Sequence, residues 1–106
     1  MFSVTAETER EILIALKKEP LAVRELRPEG LPIVFGAPDP FALEEIRRAV
    51  ERMSHEGLCE MRIENYKSIT DAREIHRTTG RWQLTQKGRD HLVRLAKKEL
   101  GYKDVD

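Results

Sequence analysis

The chain reads as an α+β domain of 106 residues in which helices precede and follow one long β-hairpin. Three observations predict this. Apolar residues recur at spacings of three and four in two stretches before residue 57 and in another after residue 85. From Cys59 the period changes to two. Glycines and prolines fall at the junctions between these patterns, where helices stop and turns begin.

Composition sets the frame for those elements. Hydrophobic residues are 40% of the chain and charged residues 36%, a balance suited to one globular domain spanning residues 1–106 with a modest core. No apolar run approaches the ~20 residues of a membrane-spanning helix, and "MFSVTAETERE" lacks the basic start and apolar stretch of a signal peptide. A cytoplasmic location is expected. The lone cysteine, Cys59, excludes an internal disulfide and agrees with a reducing compartment. Net charge is zero, yet residues 1–61 carry 8 Lys/Arg against 12 Asp/Glu and residues 62–106 carry 11 against 7. Attraction to phosphate must therefore come from the second half.

The first helix is expected from Thr5 to Lys18. Thr5 or Thr8 caps it, glutamates fill its first turn, and Ile12, Leu13 and Leu16 form its apolar stripe. Pro20 stops it. A short second helix, about Ala22 to Leu26, packs Leu21, Val23 and Leu26 before Pro28 and Gly30 end it. "RPEGLPIVFGAPDP" is then irregular, and its apolar run Leu31–Phe35, interrupted by Pro32, reads as a short strand or packed loop. That run either covers the core or contacts a partner or ligand.

Asp39 starts the third helix as its cap, with Pro40 at the first helical position, where the missing N–H costs nothing. Leu43, Ile46, Val50 and Met53 form the expected buried face, Gly57 ends the helix, and Leu58 folds back on the core. In the hairpin, Cys59, Met61 and Ile63 alternate with Glu60, Arg62 and Glu64, while Trp82 and Leu84 share a face of the return strand. Setting Cys59 opposite Leu84 puts Met61 opposite Trp82 and Lys67 opposite His76, and leaves the turn near Thr70–Arg73. Its base is apolar on one face. Its outer part is polar and cationic. Thr85 caps a fourth helix, residues 85–100, ended by Gly101. Its apolar positions Leu92, Val93, Leu95, Ala96 and Leu100 are wider than one packing stripe, which implies two neighbours.

Three stretches carry a resemblance, covering most of residues 9–92 in order. "EREILIALKKEPLAVREL" resembles the first two helices of PadR-type and MarR-type regulators, with a proline-leucine step between them. "IRRAVERMSHEGLCEM" is similar to the PadR pattern of apolar residue, Arg-Ala step, Arg, apolar residue and Glu-Gly-Leu leading into a strand. "RWQLTQKGRDHL" resembles the aromatic-x-Leu-Thr-x-x-Gly-Arg segment that joins the second wing strand to the last helix. The resemblance implies a winged helix-turn-helix: a three-helix core, a wing hairpin of two or three strands, and a C-terminal helix. It further implies a transcriptional regulator that binds double-stranded DNA through helix 40–56 and wing 66–81, as a homodimer joined by terminal helices. The segment before the third helix is longer than the family's tight turn, and Glu44 and Glu45 stand where neutral or basic groups are usual.

The candidate DNA contacts are Arg47, Arg48 and Arg52 on the third helix and Lys67, Arg73, Arg77 and Arg81 in the wing. Glu44 and Glu45 read either as first-turn acids favoured by the helix dipole, as acceptors from cytosine N4, or as groups that repel phosphate. Pairs from Glu44 and Glu45 to Arg48 at helical spacing give the arginines an alternative role as a salt-bridged surface. Val93, Ala96 and Leu100 are the candidate dimer interface. The alternative to DNA binding is a winged-helix protein-interaction module in a larger assembly, with the Leu31–Phe35 loop as its candidate contact. No cofactor, metal or catalytic role is expected. Gly57 breaks the helix between His55 and Cys59, His76 and His91 lack ligand-spaced partners, and no phosphate loop or nucleophile motif is present.

Overall fold

The computed structural model describes residues 2–70 and 73–101, with the side chains of residues 64–79 outside the described set. Helix α1, Ala6–Lys18, begins as its threonines dictate: the Thr8 amide donates to Thr5 Oγ1 and the Thr5 amide donates to Thr8 Oγ1, both at 3.2 Å. Its buried stripe is Thr8, Ile12, Leu13 and Leu16.

The expected second helix contracts to a 3₁₀ turn at Val23–Glu25. Two constraints explain this. Pro20 and Pro28 leave little room for a helix, and Leu21 is held extended by two backbone hydrogen bonds to Trp82, at 2.9 and 2.7 Å. Leu26 is nonetheless fully buried.

The irregular segment forms a small hairpin, β1 (Ile33–Val34) against β2 (Ala37–Pro38). Its turn residues Phe35 and Gly36 have φ of 50° and 80°. Positive φ at both turn positions matches the twist of a two-residue hairpin. Only Leu31 of the Leu31–Phe35 run packs against the core; Ile33, Val34 and Phe35 are 54%, 46% and 104% exposed. A core-covering role for that run is thereby corrected.

Asp39 caps helix α2, Pro40–His55, accepting from the Phe41 amide at 3.3 Å. The buried face of α2 is Ala42, Ile46, Ala49, Val50 and Met53, centred one position away from the expected stripe, so Leu43 is only half-buried. Small residues at 42 and 49 let α2 lie close to its neighbours. Gly57, at φ 82°, then turns the chain into the long hairpin, β3 (Cys59–Thr70) and β4 (Arg73–Leu84).

The hairpin has the expected register, with Cys59 opposite Leu84, Met61 opposite Trp82 and Lys67 opposite His76. The turn residues 71 and 72 lie outside the described residues. Its apolar face ends sooner than its sequence suggests: Cys59 and Leu84 are buried, but Met61 is 45% and Ile63 65% exposed. Strands of this length reach about 40 Å at ~3.3 Å per residue, well past the helices that cover the base.

Helix α3, Gln86–Glu99, starts at Thr85, whose Oγ1 accepts from the Gly88 amide at 3.0 Å and donates to the Gly57 carbonyl at 2.5 Å. A Cβ at Gly88 would overlap the Leu58 carbonyl oxygen and stand 2.7 Å from Leu84 Cδ1. Only glycine allows α3 to start this close to the Gly57–Leu58 corner. The core therefore lies where α1, α2, the root of the long hairpin and α3 meet, built from Ile12, Leu13, Ile46, Val50, Met53 and Leu92 with their neighbours. No described helix is long and apolar enough to cross a membrane.

Candidate nucleic-acid interface

Opposite its buried stripe, α2 carries Arg47, Arg48 and Arg52, all exposed. Each meets a carboxylate. Arg47 donates to Glu44 Oε2 through Nε at 2.9 Å and to Glu51 through Nη1 at 2.5 Å, with a further Nη2 contact to Glu44. Arg48 lies 3.4 Å from Glu44 and 3.7 Å from Glu45, the pairs that helical spacing predicts. Arg52 pairs with Glu9 of α1, a contact between helices that sequence spacing cannot reveal.

The electrostatic result is a balanced face rather than a basic one. Hydrogen bonding to Arg47 is the main cause holding the Glu44 carboxyl below its ordinary pKa, and the same contact raises the Arg47 guanidinium further above its own. Three arginines face Glu44, Glu45, Glu51 and, across the helix pair, Glu9. Exposed pairs of this kind are weakly held, so their partners can exchange.

Arg81 stands at the root of the long hairpin, 3.5 Å from Glu25 of the 3₁₀ turn. The Glu25 carboxyl is held below its ordinary pKa first by the Ala22 N–H, which donates at 2.9 Å, and then by Arg81, partly offset by desolvation. Directly across the ladder from Arg81 is Arg62, a position the sequence reading left out of the site. The signal for it was available: Arg62 and Arg81 fall opposite one another once Cys59 is set against Leu84.

Register groups the remaining cations. Positions 62, 66 and 70 pair with 81, 77 and 73, so Arg62, Arg73, Arg77 and Arg81 occupy positions of one hairpin face, whereas Lys67 pairs with His76 on the other. The side chains of Lys67, Arg73 and Arg77 lie outside the described residues.

Two apolar surfaces flank this arrangement. Near the start of α2, Phe41 is 84% exposed beside a groove of about 640 Å³. Between α1 and α3, Ile14, Val93 and Ala96 line a shallow groove of about 220 Å³; Val93 is 51% and Leu100 74% exposed, while Leu92 and Leu95 turn to the core. Sequence reasoning missed Phe41 and Ile14, since an apolar residue at a helix edge gives no period of its own.

Cys59 is buried, and its thiol donates to the Val50 carbonyl at 3.5 Å; burial pushes its pKa up to about 11. Such a thiol is inert as a nucleophile at neutral pH. Comparison of the chain with protein-family models, with curated proteins and with solved structures gives no match.

Proposed function

We propose that the chain is a winged-helix DNA-binding protein, a cytoplasmic transcriptional regulator without catalytic role, in which α2 is the reader and the β3–β4 hairpin the wing. The observation that supports this most is the hairpin register, which gathers Arg62, Arg73, Arg77 and Arg81 at positions of one face of a ladder that follows α2 directly. A cationic ribbon of that kind suits the phosphate backbone or a minor groove. Arg47, Arg48 and Arg52 join it by exchanging carboxylate partners for phosphate or a guanine edge. Neutralised phosphates release counterions, so binding to a random-sequence duplex should weaken steeply between about 50 and 200 mM salt. A flat response would remove DNA from the account.

In this reading the regulator is a two-fold dimer through Val93, Ala96 and Leu100, with Ile14 beside them, presenting two reader helices to half-sites about 34 Å apart. The exposure of Val93 and Leu100 supports it. Sedimentation of a Val93→Glu, Leu100→Glu variant beside the parent chain is the check: only the variant should run as a folded monomer.

A second reading, a winged helix used as a protein-interaction module, is favoured by the carboxylate partners of all three α2 arginines. Under it the salt response of duplex binding is absent.

A further inference from the structure

The groove at the start of α2 is mostly apolar and acidic, and Arg48 is the one candidate DNA contact among its lining residues. Phe2, Pro32, Phe41 and Ala42 give it an apolar lining, and its charged groups are Asp39, Glu44 and Glu45 against Arg48 alone. Arg48 is itself shared between Glu44 and Glu45. The adjoining opening, also bordered by Phe2, adds Glu7, Glu11 and Glu29 and, among the described residues, no cation. Carboxylates outnumber the cation here, so away from Arg48 this surface disfavours phosphate.

The apolar surface continues outward from the groove. The Asp39 amide donates to the Pro32 carbonyl at 2.9 Å, which ties the base of the β1–β2 hairpin to the groove wall. From there outward, Ile33 and Val34 are about half exposed and Phe35 is fully exposed. Phe35 holds φ at 50°, a region bulky residues rarely adopt, yet its ring is fully exposed. Strained, exposed aromatic positions of this kind gather at recognition surfaces.

We infer that the groove and the β1–β2 hairpin together dock a short segment of another protein whose apolar anchors are flanked by lysine or arginine. The anchors fill the Phe2/Phe41 groove and lie along Ile33–Phe35, while the flanking cations meet Asp39, Glu44 and Glu45. The volume of about 640 Å³ lies within the range of ligand-holding clefts, and the exposed hairpin beyond it is too extended for a small molecule to cover. Charge complementarity sets the sign of the partner: three carboxylates against one guanidinium select a basic segment over an acidic one.

The test pans a random peptide library displayed on phage against the whole chain and measures the selected peptides, made synthetically, by fluorescence anisotropy. The expected peptides carry apolar anchors between basic residues. Their affinity should fall at least about tenfold for a Phe35→Ser, Phe41→Ser variant and again for Glu44→Gln, Glu45→Gln, both with unchanged circular dichroism. Both phenylalanines are exposed, so the first variant does not threaten the core. Failure to enrich any peptide, enrichment of acidic ones, or affinity unchanged in both variants overturns the proposal. Self-association of the parent chain that Phe35→Ser, Phe41→Ser abolishes also overturns it, in favour of a second copy as occupant. None of these outcomes depends on whether the chain binds DNA.

Discussion

The corner where Gly57, Leu58, Thr85 and Gly88 meet and the hairpin at Ile33–Pro38 sit at opposite extremes of constraint. At the corner every backbone group has a partner that dictates the residue: Thr85 donates to the Gly57 carbonyl, its amide bonds Leu58, and Gly88 leaves no room for a Cβ. At the hairpin a bulky aromatic occupies a left-handed position and faces solvent. Two of the stretches resembling known regulators, "EGLCEM" and "LTQKGR", fall at the first place, and one of the two departures from that pattern, the long segment before α2, falls at the second. Motif resemblance here reports packing geometry; individuality of function is to be sought where packing does not explain the residue.

That contrast can be broken most sharply at Gly88. Gly88→Ala drives a methyl into the Leu58 carbonyl, which is backbone and cannot swing aside, so a loss of about 3 kcal/mol or more in urea unfolding is expected. A stable Gly88→Ala protein would mean that α3 does not approach the corner as described.

The next largest effect is a pH dependence. The folded Cys59 thiol titrates near 11 against a usual value of 9.0. Below the usual value both folded and unfolded chains keep the proton, and the stability is fully present. As pH rises through the interval the unfolded chain ionises first, so stability falls by roughly 2 to 3 kcal/mol until the folded thiol also ionises. Unfolding followed across that interval should show a smaller fall in Cys59→Val than in the parent.

Thr85→Ala removes one cap and one cross-corner hydrogen bond and should cost about 1 to 2 kcal/mol in thermal or urea unfolding. Phe35→Asn reverses the sign. Asparagine tolerates positive φ, and no burial is lost, so a gain of up to about 1 kcal/mol is expected. A destabilised Phe35→Asn protein would mean the ring is held by contacts within the chain.

Legibility in the sequence follows the same division. The register of the long hairpin was readable because only one pairing sets Cys59 and Met61 against Leu84 and Trp82. Helix starts were readable because Thr5, Asp39 and Thr85 are the capping residues their roles require. The Glu44–Arg48 and Glu45–Arg48 pairs came from spacing along one helix, whereas Arg52–Glu9 joins two helices and has no spacing to read. The second helix is shorter and tighter than the sequence predicts because the extended pairing of Leu21 with Trp82 is a long-range event. The β1–β2 hairpin was ambiguous because Phe35–Gly36 lacks the Asn-Gly signal of a two-residue turn.

For the function itself the direct measurement is the salt slope of duplex binding in the parent chain beside an Arg73→Ala, Arg77→Ala variant. The account predicts weaker binding on every sequence and a slope reduced by about one for each arginine that contacts phosphate. An identical slope in the two proteins would contradict it and take the hairpin out of the DNA interface.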